Sequence, residues 1–461
     1  MKAQQNRTNR AMAAVAVVAT VLALAVGTAR AATVLGAWES PITVASGTAG
    51  AHEGMVVNEA TNTVYTVYAS GGAVWSRSIS MPSGTLGTPV QILAAGSAPS
   101  IAIDSAGNLH VAAYNTGTTN LVYAYSNTGG ASWSTRTLDA TANHGSNTTI
   151  TVDPGNRVHL GYRGQNGTEN NDGVTPFYDL YYTRFNADVT ANDPIAGSWD
   201  TPQVLVHSSR VGVKAYWGPL GTEMDNVDIE ADGSNVWLAR REAVDSPSGN
   251  GGYLLYRGVT APASDPFAES SGVWDATMFG QFELRADGTP YRVAWDRAGG
   301  TYLQSTPDDG FVGVPYNASG SPVDTDSGLA GYQGYRIDTG VHANWYNVGQ
   351  RMDLVIDVNG AYHAVYYAGS GTTGLKFATS SDSGVSWTTE FLTGGGSYSG
   401  DSRIAYDPLV SGGMGRVYLL SNDGSGTLTL FPRDAHMVPE PATAALLALA
   451  GLAALRRGRR A

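Results

Sequence analysis

Four stretches of this chain gather the residue types that could do chemistry. Three of them, 163–178, 207–226 and 241–252, hold Arg163, Glu169, Asp172, Arg210, Lys214, Tyr216, Trp217, Glu223, Asp225 and Arg241, with Arg240 beside them. The fourth, about 317–350, holds Tyr332, Tyr335, Arg336, His342, Trp345 and Tyr346. Aromatic rings stack on the apolar faces of sugars, and Arg, Asp and Asn make paired hydrogen bonds to neighbouring hydroxyls, so this composition suits a carbohydrate. Cations set in an acidic chain also suit the carboxylate of an acidic sugar. Loops that merely pack on one another use the same residue types, with Tyr and Trp burying surface and Arg pairing with acids. Asn166 to Asp172 and the pair Asp324 and Asp326 offer oxygen ligands of the kind Ca²⁺ takes, although solvated acidic loops look the same. No cofactor is expected otherwise.

The rest of the chain must hold these stretches in place. It has 461 residues, with 58 Gly, 20 Pro and no Cys, and is 42% hydrophobic but only 14% charged. That is too apolar for a disordered chain, and rich in the residues of strands and turns. The missing cysteines exclude disulfides, Cys-ligated metals and thiol catalysis. The formal charge of −12 hides an asymmetry: of 27 basic and 39 acidic residues, eight basic and one acidic lie in 1–31 and 439–461. The body between them has 19 basic and 38 acidic residues, a net −19. Such a body repels nucleic acid, which is not an expected partner.

Both ends read as addresses. Residues 1–31 have a basic start, an apolar run over 11–26 and the ending Ala29-Arg30-Ala31, the layout of a cleaved secretory signal peptide. After the expected body at 32–437, residues 438–461 run Val438-Pro439-Glu440-Pro441, then 14 mostly apolar residues, then Arg456-Arg457-Gly458-Arg459-Arg460. Fourteen residues fall short of the ~20 that cross a bilayer comfortably, and the terminal arginines would stay on the cytoplasmic side. This tripartite tail resembles the PEP-CTERM sorting signal. The resemblance implies an exosortase-type processing enzyme, passing insertion in the inner membrane, and a cell-surface or extracellular-matrix destination rich in exopolysaccharide.

Within the body one unit recurs: an apolar strand, an acidic or Gly-Asn turn, then a strand with an aromatic or His. Asp104 and His110, Asp153 and His159, and Asp357 and His363 are each six residues apart in such units. Looser copies lie at 56–65, 227–237, 282–293 and 404–418, which makes seven hairpins at the spacing of propeller blades. The turn Ser380, Asp382, Gly384 and Trp387 has the form Ser-x-Asp-x-Gly-x-x-Trp, and 126–133 repeats it with Thr128 in place of the Asp. Here the chain resembles the sialidase-like, Asp-box (BNR repeat) β-propellers. The expected fold is all-β, about seven four-stranded blades with six as the alternative. Because 38–44 echoes the fourth strand at 199–206, residues 33–45 are expected to close the last blade as an amino-terminal strap.

A propeller sorts its residues between two faces. His110, His159 and His363 fall at the first-to-second turns, where a repeated position reads as packing, and the Asp-boxes share that face. The long stretches belong to the other face, where function is expected. The resemblance to sialidases implies three Arg on a carboxylate, a Tyr–Glu nucleophile pair and an Asp acid/base. Their Arg motif has only an imperfect echo in Tyr335-Arg336-Ile337-Asp338, placed after an Asp-box position and not before it, so that active site is not transferred. The reading is glycan or exopolysaccharide binding. A sialidase-like hydrolase, a lyase of acidic polysaccharide using His144 or His342 with a Tyr, and a structural matrix role remain as alternatives.

Overall fold

The structure, a computed structural model, describes residues 32–47, 53–168, 176–206, 227–242, 252–259, 273–275, 278–296, 310–318, 323, 334–339, 352–368, 374–392, 402–408, 414–423 and 425–438. Among these residues there is no helix. Their strands form seven antiparallel sheets, none closed into a barrel.

The first sheet runs Gly54–Asn58, Thr63–Ser70 and Ala73–Ser80, with Thr85–Leu86 and Val90–Leu93 on its outer edge. The second is Ser97–Ile103, Leu109–Asn115, Asn120–Ser126 and Ser134–Asp139, and the third His144–Val152, Val158–Thr168, Pro176–Phe185 and Gln203–Val206. The fourth is Val227–Ala231, Asn235–Glu242, Gly252–Val259 and Val273–Asp275, and the fifth Met278–Leu284, Pro290–Asp296, Gly310–Pro315 and Tyr335–Thr339. The sixth is Asp353–Ile356, Tyr362–Ala368, Gly374–Ser380 and Thr388–Phe391. The seventh starts with Ser402–Asp407, Met414–Asn422 and Leu428–Val438. Both Ala32–Trp38 and Ile42–Ala45 then pair with Leu428–Val438, so the expected strap completes this sheet. All seven expected hairpins are first and second strands of successive sheets.

First strands of successive sheets lie side by side, and that of the seventh returns to that of the first. An apolar cluster fills every gap between neighbouring sheets. Val67, Leu109 and Val111 join the first and second, and Tyr123, Leu160 and Tyr162 the second and third. Val44, Val64, Tyr68, Tyr418 and Leu430 close the ring between the seventh and first. Second strands are sandwiched between two neighbours, which is why Thr63–Ser70 is buried on both faces for all but its last residue. The first strands have one edge on the ring's centre, and there the sequence turns polar. Links between sheets and second-to-third links leave from one face of the ring, the upper face. First-to-second turns and third-to-fourth links leave from the lower face.

Candidate functional site

The inner strands of all seven sheets enclose a central channel of about 330 Å³. Glu53, Asp228, Glu230, Glu283 and Asp353 line it, with Arg403 as the one cation among the described lining residues, and Asn147 and Gln281 add amides. The alternation in Val227-Asp228-Ile229-Glu230 explains the placement. Ile229 is buried between the third and fourth sheets, so the residues on either side of it face the opposite way. Several lining side chains also tie one sheet to the next. The Phe282 amide donates to Asp228 Oδ2 at 3.0 Å, and the Ile404 amide to Asp353 Oδ2 at 2.9 Å. The Asn422 amide donates to Glu53 Oε1 at 3.1 Å, and the Thr151 hydroxyl to Glu230 Oε2 at 3.4 Å.

These carboxyls sit deep in the ring yet border space wide enough for water. Burial pushes Asp228 up to about 7; the Phe282 amide opposes the shift, and the charge of Asp353 adds to it. Burial pushes Glu283 up to about 8, against the Leu284 amide and with help from Asp353 and Asp228. Glu230 is raised well above its ordinary range by burial, then by the charges of Glu283 and Asp228. Near neutral pH the channel thus presents carboxylic acid hydroxyls as well as acceptors, with Arg403 beside them. Such a lining can donate to and accept from a polyol, and a carboxyl that keeps its proton at pH 7 can give it to a leaving group. Sequence reasoning missed this set. The available signal is confined to two inner strands, where polar residues alternate with apolar ones: Asp228 and Glu230 about Ile229, and Gln281 and Glu283 about Phe282.

A second polar cluster lies on the upper side of the third sheet. His144 Nδ1 is 2.8 Å from Asp139 Oδ2, His144 Nε2 is 3.3 Å from the Gln165 carbonyl, and the Tyr162 hydroxyl donates to Asp139 Oδ2 at 2.7 Å. Tyr181 packs on His144 with ring centroids 4.6 Å apart. Burial, then the charge of Asp139, raises Tyr162 far above the ordinary tyrosine range. With both His144 nitrogens occupied and Tyr162 held protonated, the cluster fixes the strand end next to Arg163.

Arg163 is half-buried and donates through Nε to Ser146 Oγ at 3.0 Å. Arg241 lies on Asn235–Glu242 with its backbone paired to Tyr253. Arg210, Lys214, Tyr216, Trp217, Glu223, Asp225, His342 and Trp345 lie outside the described residues, as do Glu169, Asp172, Asp324 and Asp326. Of the sorting motif, Val438 ends the last strand, while Pro439, Glu440 and Pro441 lie outside. Tyr335 to Asp338 form a fourth strand, where Asp338 accepts from Lys376 Nζ at 2.6 Å and from the Tyr366 hydroxyl at 2.8 Å.

On the lower face the repeated Asp and His form one structural unit. Asp153 Oδ1 accepts from the Gly155 and Arg157 amides at 2.8 and 2.9 Å, and Oδ2 from Arg157 Nε at 2.7 Å. Asp153 Oδ2 is also 3.3 Å from His159 Nε2, whose ring meets the Tyr182 hydroxyl at 2.8 Å through Nδ1. Burial lowers His159, so the neutral ring donates from Nε2 to Asp153 and accepts from Tyr182. Asp104 and His110 repeat the arrangement with Tyr123, and Asp357 and His363 repeat it with the Thr379 hydroxyl in the place of the tyrosine. The Asp-box is likewise a turn lock: Ser380 Oγ accepts from the Gly384 amide at 2.9 Å, Asp382 Oδ1 from the Ser386 amide at 2.9 Å, and Trp387 Nε1 donates to the Gly384 carbonyl at 2.9 Å.

No protein-family model and no curated protein sequence matches the chain. Solved structures similar to it include a PL25 ulvan lyase, at 12% identity over 87% of this chain and 94% of that chain, with a TM-score of 0.47. A Hadza microbial sialidase is similar at 10% identity over 80% of this chain and 72% of that one, TM-score 0.43. A fungal alcohol oxidase of the AA5 family, in complex with copper, is similar at 10% identity over 86% and 76%, TM-score 0.49. The activities named for these proteins differ, and this chain's own residues have to carry its function.

Proposed function

We propose that this is an exported, surface-sorted β-propeller of seven blades that binds a glycan of the surrounding matrix over its central channel. The channel carries this reading. Its volume of about 330 Å³ is on the scale of a small saccharide unit, and it is lined by five carboxyls, two amides and one guanidinium. Carboxyls held protonated by burial bind hydroxyls without the full cost of desolvating a charge. The strand ends at Val206 and Glu242 both lie on the upper face: the stretch with Arg210, Lys214 and Trp217 departs from the first, and Arg241 stands one residue before the second. Those residues supply the second half of the proposed site. Its partner is exopolysaccharide, and the tail at 438–461 delivers the body through an exosortase-type enzyme.

The test is retention of residues 32–438 on an array of neutral and uronate-containing polysaccharides. Retention is expected at pH 6, with weakening at pH 9 as the channel carboxyls ionise, and at least a tenfold loss in Trp217→Ala or Arg403→Ala. Absence of retention on every glycan at both pH values refutes the proposal. A hydrolase is the second reading, favoured by one observation: Glu283, pushed up to about 8, keeps its proton at neutral pH beside other carboxyls, as a general acid must. It requires release of reducing ends from the bound glycan and loss of that release in Glu283→Gln.

A further inference from the structure

The two ends of the body leave the ring together. Ala32 pairs with Val438 and Thr33 with Met437, at the lower end of the seventh sheet. The same corner touches the neighbouring sheet: the Thr33 hydroxyl donates to Asp357 Oδ2 at 2.6 Å, and the Asn359 side chain donates to Thr33 Oγ1 at 3.1 Å. Asp357 and Asn359 belong to the first-to-second turn of the sixth sheet, whose tip, Val358, is 65% exposed. Val385, in the Asp-box link of the same sheet, is 48% exposed. Five large apolar side chains are exposed among the described residues, and these two share one sheet and one face. A groove between the fifth and sixth sheets is lined by Val358 and by Ser383 of that link, which places the turn and the link side by side.

We propose that this lower corner, with Val358 and Val385, is a lipid-contact surface, and that it holds the channel's upper mouth away from the membrane while the tail is inserted. The inference rests on the reading of 438–461 as a membrane-inserted sorting tail. Only Pro439, Glu440 and Pro441 separate the last strand from the apolar stretch, a reach of roughly 14 Å over four residue steps. The strand Leu428–Val438 has 11 residues and spans about 36 Å, so the upper face lies beyond the tether's reach. If inserted as a helix, fourteen residues would cover about 21 Å against a hydrocarbon core of ~30 Å, and a span that short draws its flanks toward the bilayer. Valines at the point of closest approach gain by leaving water, and the body's net −19 favours an uncharged lipid surface over an anionic one.

The chain has no Cys, so single labelling sites are clean. Residues 32–461 carrying Val358→Cys, Val385→Cys or, on the upper face, Thr116→Cys are labelled with an environment-sensitive fluorophore. Each is mixed with phosphatidylcholine vesicles that contain a lipid-borne quencher. The proposal expects co-flotation of all three, with quenching at 358 and 385 at least threefold that at 116. Flotation with equal quenching, or with stronger quenching at 116, overturns the lipid-contact surface alone. Failure to float at all, under conditions where a known tail-anchored control floats, overturns the tail reading and this inference with it.

Discussion

Carboxylates occur in two settings in this ring, and the two behave in opposite ways. At the lower turns, burial works against the charge of Asp104, Asp153 and Asp357, yet the hydrogen bonds from His and backbone amides outweigh it, and all three are held below the ordinary range. In the channel, burial meets few donors and more negative charge, and Asp228 and Glu283 rise to about 7 and about 8. The difference separates structure from function. A carboxylate that caps a turn is stabilised as a charge and cannot be spared; one that lines the channel is costly as a charge and available to a ligand.

The signs of the two pH dependences follow. Each turn Asp has a folded pKa below its ordinary 3.8, so its contribution to stability is present above that pH and lost as pH falls through the folded value. Glu283 has a folded pKa of about 8 against an ordinary 4.5, so its contribution is present below about 4.5 and lost as pH rises through about 8. Stability should therefore be greatest in mildly acidic solution.

The largest effect that separates the two settings is expected at Asp153. Asp153→Ala removes the acceptor for two amides, Arg157 and His159 at once, and should cost about 3–5 kcal/mol in denaturant unfolding. A loss under 1 kcal/mol would mean that the turn does not depend on its charge. Next is Trp387→Ala, about 2 kcal/mol, because this half-buried ring packs against the cluster of Tyr291 and Tyr362 and donates to the Gly384 carbonyl. Glu283→Gln should leave stability at pH 5 nearly unchanged and flatten its fall between pH 5 and pH 9 by about 1–2 kcal/mol, the water in the channel reducing the full linkage value. An unchanged slope in thermal melts across that range would remove Glu283 from the titrating set.

These contrasts also mark what the sequence makes legible. Asp104, Asp153 and Asp357 each act within six residues of their His, so a repeated interval exposes the unit and its structural role. The strap is legible for a similar reason, since Trp38 to Val44 repeats a fourth-strand pattern found elsewhere. The channel is not local in this sense. Asp228 meets Phe282 across 54 residues and Asp353 meets Ile404 across 51, and only the order of sheets around the ring brings Asp228, Glu283 and Asp353 together. Lys214 and Trp217 are legible only as residue types in a long loop on the face where function is expected, and geometry adds only the strand end, Val206, from which their stretch departs.

The smallest predicted effect tests the Asp-box itself. In the second sheet Thr128 stands where the sixth sheet has Asp382, and its hydroxyl does the same work: it accepts from the Ser132 amide at 2.9 Å, as Asp382 Oδ1 does from Ser386, while Ser126 Oγ accepts from the Gly130 amide at 3.0 Å. The link therefore closes without a charge. Thr128→Asp adds a charged acceptor at an exposed turn, and charge-assisted bonds to amides are stronger than neutral ones. Against that stands the net −19 of the body, which every added acid opposes. The two should nearly cancel, leaving a gain of about 0.5 kcal/mol or less at pH 7, larger in 0.5 M salt, where the long-range repulsion is screened and the local bonds are not. A loss above 1 kcal/mol would show that Asp382 is stabilised by its own sheet's surroundings and not by the turn it closes, and the two links would cease to be copies of one device.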